Sequence, residues 1–257
     1  MRATDARAIA REWVTAEAGR WPGLVGAFLA GSIHDRGDEE LPSTSDIDVM
    51  VVIDDPDPSA KPGKLRYEGA LLEISVVPLE AVRSPERVLG HYHLAAAFRR
   101  PAILVDPTGH LAALGHVVSR EFAHRRWVEQ RCKQARDTVL RRLATAGPGA
   151  PLHERVMAWL FAAGGLPHVL LVAGLRNPTV RRRYLAVREL LRDEGMGDAY
   201  EPLLAVLGCA AMAPERVTEH LDALAGAFDA AAAAVHSPFF FASDITAPAR
   251  PLAIDGS

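Results

Sequence analysis

The run from Asp46 to Ile53, DIDVMVVI, limits the possible folds more than any other part of the sequence. Polar and apolar residues alternate over its first four positions, and the last five residues are all apolar, which is typical of a buried β-strand. Side chains two positions apart point to the same face of a strand, so Asp46 and Asp48 should lie side by side. Two carboxylates this close repel each other unless a cation balances them. Mg²⁺, which proteins commonly hold with carboxylates and substrate phosphates, would provide that balance.

A second predicted strand ends at a glycine and a serine. The apolar run from Leu24 to Ala30 predicts this strand, and Gly31-Ser32 follows it directly. Glycine lets a phosphate group approach the backbone closely, and the serine hydroxyl can donate a hydrogen bond to it. A short helix beginning after Ser32 would add free backbone N–H groups, which bind anions. An expected phosphate site next to an expected metal site indicates transfer of a nucleotidyl or phosphoryl group.

Gly31-Ser32, a gap of thirteen residues and then Asp46-Ile47-Asp48-Val49 together resemble a known motif. It is the core motif of the DNA polymerase β-like nucleotidyltransferase superfamily. The resemblance covers about Leu24 to Asp106, which is under half of the chain. Within the superfamily, the chain looks most like the bacterial aminoglycoside-type nucleotidyltransferases, which have an all-helical second domain. The resemblance also implies a third acidic residue on a later strand.

Glu73 occupies the position where that third acid is implied. It lies alone among apolar residues in the run from Leu71 to Val77, LLEISVV, which predicts a third strand. A carboxylate in the middle of a buried strand needs a partner. Glu73 either faces solvent on an edge strand or joins Asp46 and Asp48 at a metal, and the resemblance favours the metal. Glu68 is a weaker competitor for the same role.

Several other polar residues lie close to these strands. Ser45 directly precedes the Asp46 strand and is a candidate for phosphate contact, with a role in the turn as the alternative. Lys64 and Arg66 could neutralise phosphate charge, but we interpret them as solvated surface residues. Asp106, at the end of a predicted strand over 102–106, is expected to close that strand rather than to take part in chemistry.

From residue 123 onward the apolar pattern is helical and no strand pattern follows. Helices are predicted over 125–146, 153–175 with an interruption at Gly164-Gly165, 179–194, 201–208 and 214–236, which together favour a helical bundle. We therefore predict an α+β protein. Residues 1–122 would form a nucleotidyltransferase catalytic domain with a mixed sheet flanked by helices, and residues 123–257 a helical bundle with a loose C-terminal tail.

Charge and composition limit the class of partner and the compartment. The net charge of −3 provides no global basic field for nucleic acid, so a nucleic-acid partner is not expected. Cys132 and Cys209 lie far apart in predicted helices, which favours free thiols in a reducing cytoplasm. The apolar stretch from Val156 to Leu175 is interrupted by Gly164, Gly165, Pro167 and His168, so we expect no membrane span. A homodimer is left open.

The resemblance implies a specific reaction, dependent on Mg²⁺ or Mn²⁺. A nucleoside monophosphate, AMP from ATP or the equivalent from another nucleoside triphosphate, would move to a hydroxyl group of a small-molecule acceptor with release of pyrophosphate. Asp46 and Asp48 would hold the metal on the triphosphate, and Glu73 would join a second metal or act as the general base. Gly31 and Ser32 would hold the β- and γ-phosphates.

The acceptor is left open by the sequence. An aminoglycoside-like antibiotic is cationic, and the acidic loop together with Glu201 could form an acidic wall for it. Glu121 and Glu154 in the helical half are further candidates for the general base. The alternatives are transfer to a protein or to RNA, the nucleotidyltransferase half of a toxin–antitoxin pair, and a nucleotide-binding module without catalysis. The acidic loop contains Asp35, Asp38, Glu39 and Glu40.

Overall fold

A five-stranded mixed sheet and nine α-helices form the part of the chain that the computed structural model describes, which is residues 1–35, 37–42, 45–55 and 63–234. The predicted loose tail begins beyond residue 234 and lies outside the described residues. The strands are β1 (Leu24–Leu29), β2 (Asp46–Ile53), β3 (Gly63–Tyr67), β4 (Ala70–Pro78) and β5 (Ile103–Val105). The helices are α1 (Ala3–Glu17), α2 (Pro85–Gly90), α3 (Tyr92–Phe98), α4 (His110–Glu121), α5 (Arg125–Leu143), α6 (Leu152–Ala173), α7 (Arg183–Asp193), α8 (Tyr200–Val206) and α9 (Pro214–Ala234). The predicted α+β fold class is confirmed.

Backbone contacts divide the described chain into two compact units. The first, here called the sheet unit, takes residues from 1–84, 100–116 and 218 onward, and the second, here called the helical unit, takes 85–99 and 117–217. The two short helices α2 and α3 therefore belong with α5 to α8, although they lie between two strands in the sequence. The domain division at residue 122 stays a prediction, because a unit defined by contacts is not by itself a folding domain.

The strand order in the sheet is β3-β4-β2-β1-β5, with β2 and β4 parallel and the other neighbours antiparallel. In β2, Ile47, Val49 and Val51 are buried on one face, where they pack with helix α1. Because side chains alternate along a strand, Asp46 and Asp48 lie on the opposite face. One face of the sheet is therefore the hydrophobic core of this unit, and the other carries the acidic residues.

Residues 64–67 belong to a strand of their own and are not part of β4. Strands β3 and β4 form a tight hairpin, with Tyr67 paired to Ala70 and Lys64 paired to Glu73. Glu68 and Gly69 make the turn with φ angles of 46° and 79°, and two residues of positive φ match the right-handed twist of the strands. The hairpin thus brings Lys64 beside the middle of β4.

Helix α6 runs without a break from Leu152 to Ala173, so the predicted interruption at Gly164-Gly165 is wrong. Glycine in a helix costs only about 1 kcal/mol relative to alanine, which packing can offset. Pro167 lacks an N–H and leaves the Ala163 carbonyl without its helical donor. The Tyr184 hydroxyl donates to that carbonyl at 3.0 Å. A neighbouring helix therefore satisfies the group that the proline leaves free.

Within the described ranges, α6 alone is long and apolar enough to cross a bilayer, with a mean hydropathy of 1.8 over its most apolar window. Core helices of water-soluble proteins share this length and composition, and 44% of that window is buried inside the protein. Its buried residues lie mainly in the second half of the helix, and the first half is exposed except for Ala158 and Ala162. Length and hydropathy of α6 therefore do not establish a membrane span.

Candidate functional site

The sheet brings three carboxylates to one face, which we call the acid face: Asp46, Asp48 and Glu73. Strand β4 runs parallel to β2 and pairs Asp48 with Glu73 in register. Paired residues of neighbouring strands point to the same side of the sheet, and Asp46 is two positions before Asp48 on β2. All three side chains are partly buried. The side-by-side placement of the three acids that the sequence suggested is present.

Lys64 of β3 supplies a positive charge to the acid face. Its Nζ atom lies 2.8 Å from Asp46 Oδ2 and 3.4 Å from Glu73 Oε2. The side chain of Lys64 is only 14% exposed, against 15% for Asp46 and 23% for Glu73, so these ion pairs are shielded from water more than surface pairs are. The interpretation of Lys64 as a solvated surface residue is therefore wrong.

A sequence signal for Lys64 was present in the hairpin turn. Tyr67-Glu68-Gly69-Ala70 places a two-residue turn between β3 and β4, and a two-residue turn fixes the register of a hairpin. Counting back three residues from Tyr67 and forward three from Ala70 pairs Lys64 with Glu73.

Gly31 forms a corner that the side chain of Asp48 packs against. Its φ angle of 65° lies in the left-handed region that favours glycine. A Cβ atom at this position would overlap the Asp48 carboxylate and would lie 2.7 Å from its Cγ atom. A backbone hydrogen bond also links the two segments here, because Ala30 N donates to Asp48 O at 3.0 Å. Gly31 is thus required by backbone angle and by the space that Asp48 occupies.

Ser32 and Ser45 flank the acid face in the chain. Ser32 is the second residue of a short 3₁₀ helix, Gly31–Asp35, and its side chain is exposed. Ser45 directly precedes β2, and its N–H donates to Pro42 O at 2.9 Å, as in a turn. The predicted phosphate contacts of Gly31, Ser32 and Ser45 stay predictions. Glu68 is exposed in the hairpin turn and does not belong to the acid face.

The other acidic candidates have local partners or separate positions. Glu121 contacts His124 at 2.8 Å and Arg126 at 3.2 Å. Glu154 lines a groove of about 470 Å³ between α5 and α6. Asp106 accepts hydrogen bonds from the N–H groups of Leu111 and Ala112 at the start of α4, which agrees with its expected structural role. The remaining candidates, Asp38, Glu39, Glu40 and Glu201, have exposed side chains.

Asp38 in the acidic loop is attached to the beginning of α1. Its carboxylate accepts a hydrogen bond from the Thr4 hydroxyl and lies 3.0 Å from Arg2 Nη1. The Thr4 hydrogen bond, followed by the charge of Arg2, lowers the pKa of Asp38 despite the opposing effect of desolvation. The partners of Asp38 therefore belong to its own unit, the sheet unit.

The acid face offers oxygen donors, which Mg²⁺ and Mn²⁺ prefer. Among the described residues, however, no three His, Cys, Asp or Glu side chains are close enough together to form a ligand set. The ammonium group of Lys64 is a cation that lies between two of these carboxylates. The arrangement can therefore hold a positive charge between Asp46 and Glu73.

Comparisons with known proteins leave the family of this chain open. No protein-family model and no curated protein matches it. A solved structure, described as a nucleotidyltransferase-like protein from Exiguobacterium sibiricum 255-15, aligns with a TM-score of 0.39 and 16% sequence identity. The alignment covers 78% of this chain and 70% of that chain. A TM-score this low does not establish a shared fold.

Proposed function

We propose that this chain is a metal-dependent nucleotidyltransferase. It would move a nucleoside monophosphate, AMP from ATP in the first instance, to a hydroxyl group of a small-molecule acceptor and release pyrophosphate. The observation that supports this most is the Gly31 corner packed on Asp48, with Asp46 beside it on β2 and Glu73 in register on β4. The fit to Mg²⁺ or Mn²⁺ rests on the oxygen donors that these three side chains place on one face of the sheet.

The roles of the residues follow from their places on the sheet. Asp46 and Asp48 would hold the metal of the nucleoside triphosphate, and the bound metal would neutralise charge on the phosphates and lower the pKa of the attacking hydroxyl. Gly31 and Ser32 would donate to the β- and γ-phosphates. Ser45, next to Asp46, is a third candidate for phosphate contact. In this assignment the protein mainly positions the reactants and balances charge.

Glu73 would accept the proton of the acceptor hydroxyl. The hydroxyl oxygen attacks the α-phosphorus, a new oxygen–phosphorus bond forms, and the bond to the bridging oxygen breaks so that pyrophosphate leaves. Lys64 balances Asp46 and Glu73 when no metal is bound. If Asp46 and Glu73 held a metal, the Lys64 ammonium group would be placed to contact a phosphate oxygen. This role replaces the solvated interpretation of Lys64.

The proposed function is tested with nucleoside triphosphates labelled at the α-phosphate. ATP, GTP, CTP and UTP are each incubated with Mg²⁺ or Mn²⁺ and with aminoglycosides, lincosamides or a cell extract. Transfer of label to a small molecule with release of pyrophosphate supports the proposal. Label on protein or RNA identifies a macromolecular acceptor, and nucleotide binding without pyrophosphate release identifies a non-catalytic module.

Two variants separate catalysis from folding. Asp48→Asn keeps the size of the side chain but removes its charge, so we expect at least a thousandfold loss of transfer with an unchanged circular dichroism spectrum. Glu68→Gln changes an exposed acid in the hairpin turn and serves as the matched control, with activity within about twofold of the unaltered protein. Retained transfer in Asp48→Asn would remove the proposed mechanism.

A further inference from the structure

Four basic side chains from four helices of the helical unit come together, and we call them the basic cluster: His93, Arg142, His168 and Arg183. The rings of His93 and His168 meet edge to face with centroids 5.3 Å apart. Arg142 and Arg183 both donate to backbone carbonyls of α6, the helix that carries His168. Glu154 lines the same groove as Arg142. Within the described ranges, neither arginine forms an ion pair with a carboxylate.

Backbone carbonyls of α6 hold the two guanidinium groups in place. Arg183 Nη1 donates to Gly164 O, and Arg142 Nη1 donates to Phe161 O at 3.2 Å. A Cβ atom on Gly164 would lie 3.1 Å from Arg183 Nη1, and one on Gly165 would lie 3.8 Å from Arg142 Nη1. The two adjacent glycines therefore let both guanidinium groups lie close to the helix backbone.

Hydrogen-bonding capacity of the cluster is only partly used. A guanidinium group has five N–H donors. In the part of the chain that the structure describes, Arg142 donates through Nη1, and Arg183 through Nη1 and Nε. The Nη2 groups of both arginines, and Nε of Arg142, have no acceptor among the described residues. Donors of two fixed forks are thus left for a further acceptor.

His168 adds a buried polar atom without a partner. His168 is 4% exposed, and its Nε2 atom lies 3.0 Å from Thr179 O. Since a carbonyl only accepts, Nε2 carries the hydrogen and Nδ1 is the bare nitrogen of the neutral ring. Nδ1 is buried and has no hydrogen-bond partner among the described residues. A ligand oxygen that carries a proton would satisfy it.

The charges of the cluster are not balanced within the helical unit. Burial lowers the pKa of Arg183, and repulsion from Arg142 lowers it further. Burial also lowers the pKa of His168 to about 4, with the charges of Arg183 and Arg142 acting in the same direction. Partly buried charges without a counter-charge are costly. A negative group from outside the chain would remove this cost.

We propose that the basic cluster binds a phosphate group, with Arg142 and Arg183 as charged donors and the two histidines beside them. Two guanidinium forks match a dianion with several acceptor oxygens better than a carboxylate, which has one charge and two oxygens. The phosphate belongs either to inorganic phosphate or to a phosphorylated small molecule. The site is inferred from the helical unit alone, and it does not rest on the proposed transfer reaction.

The test is a titration of the full-length protein with inorganic phosphate at constant ionic strength, with sodium chloride as the exchanged salt. Proton–carbon NMR spectra of ¹³C-labelled histidine rings report on the cluster itself, and His168→Gln assigns its signal. We expect the His93 and His168 signals to shift along one saturable curve.

Matched variants decide whether the arginines carry the binding. Arg142→Gln should raise the phosphate Kd at least about tenfold, as the loss of one charge-assisted hydrogen bond predicts. Arg182→Gln removes an exposed neighbouring charge and should leave the Kd within about twofold. Because Arg183 also supports α6, Arg183→Lys is used to keep its charge, and circular dichroism checks the fold of each variant. We expect a smaller loss of affinity for Arg183→Lys than for Arg142→Gln.

AMP, titrated in parallel, distinguishes the two sources of phosphate. Tighter binding of AMP than of inorganic phosphate, seen in the same histidine signals, identifies a phosphate ester as the ligand, and the reverse order identifies free phosphate. Either order supports the site. Histidine signals that do not saturate, or an equal Kd in Arg142→Gln and in the unaltered protein, would overturn the proposal.

Discussion

The acid face and the basic cluster both gather partly buried charges of one sign, but they differ in how those charges are balanced. On the acid face, Lys64 lies 2.8 Å from Asp46 and 3.4 Å from Glu73. In the basic cluster, no described carboxylate pairs with Arg142 or Arg183. The first site therefore has an internal cation, which a metal would replace in the proposed function. The second has no such counter-charge, and in our proposal a ligand supplies it.

The largest effect is expected at the Gly31 corner. Gly31→Ala introduces a Cβ atom that overlaps the Asp48 carboxylate and also strains a φ angle of 65°. We expect a loss of more than about 3 kcal/mol of stability, as for overpacking combined with a left-handed residue, and loss of metal-dependent nucleotide binding. Chemical denaturation and calorimetry measure these two effects.

Gly69→Ala is the matched control for that prediction. Gly69 has a similar φ angle of 79°, but a Cβ atom there meets nothing within 4 Å. It should cost only the backbone strain of about 1–2 kcal/mol and leave nucleotide binding unchanged. Equal losses in the two variants would show that the contact between Gly31 and Asp48 is not needed for the acid face.

The second effect concerns acid sensitivity of the basic cluster. His168 has a pKa of about 4 in the folded protein, below its ordinary value of 6.5, so the unfolded chain binds more protons between these values. The contribution of His168 to the free energy of unfolding should be fully present above pH 6.5. It should be lost as the pH drops toward 4, which lowers stability by up to roughly 3 kcal/mol. His168→Gln should flatten this part of the curve. His153→Gln, at an exposed position on α6, should leave the slope unchanged, and equal slopes in all three proteins would contradict the buried neutral ring.

The third effect tests the internal cation of the acid face. Lys64→Met leaves the carboxylates of Asp46 and Glu73 without their shared ammonium group, and we expect a loss of roughly 2 kcal/mol. Millimolar MgCl₂ should restore part of that stability in urea unfolding, whereas NaCl of equal ionic strength should not. Lys133→Met, at an exposed position on α5, provides the matched control. A Lys64→Met protein as stable as that control would show that the ion pairs contribute nothing.

The smallest effect concerns the wall of the basic cluster. Tyr184→Phe removes the hydrogen bond to Ala163 O, whose helical donor is missing because residue 167 is proline. We expect a cost of about 1 kcal/mol. In a Pro167→Ala background the helix itself supplies a donor, so the same change should cost less. Identical costs in both backgrounds, measured as a double-mutant cycle, would contradict this account of the unbroken helix.

Four of the five described strands, and the shared face of Asp46 and Asp48, could be predicted because short-range patterns specify them. Alternation in DIDVMVVI places Asp46 and Asp48 on one face, and the structure agrees. Features that depend on distant partners were not predictable in the same way. Gly164-Gly165 was expected to interrupt α6, but neighbouring helices supply donors to its carbonyls. The basic cluster was missed for the same reason, since its four residues come from four helices.

Calorimetric titration of ATP into the protein, with and without MgCl₂, tests the central claim most directly. We predict saturable binding that requires Mg²⁺, is lost in Asp48→Asn, and is retained in Glu68→Gln. Binding that is equal without Mg²⁺, or that survives unchanged in Asp48→Asn, would contradict the assignment of the acid face as a metal–nucleotide site.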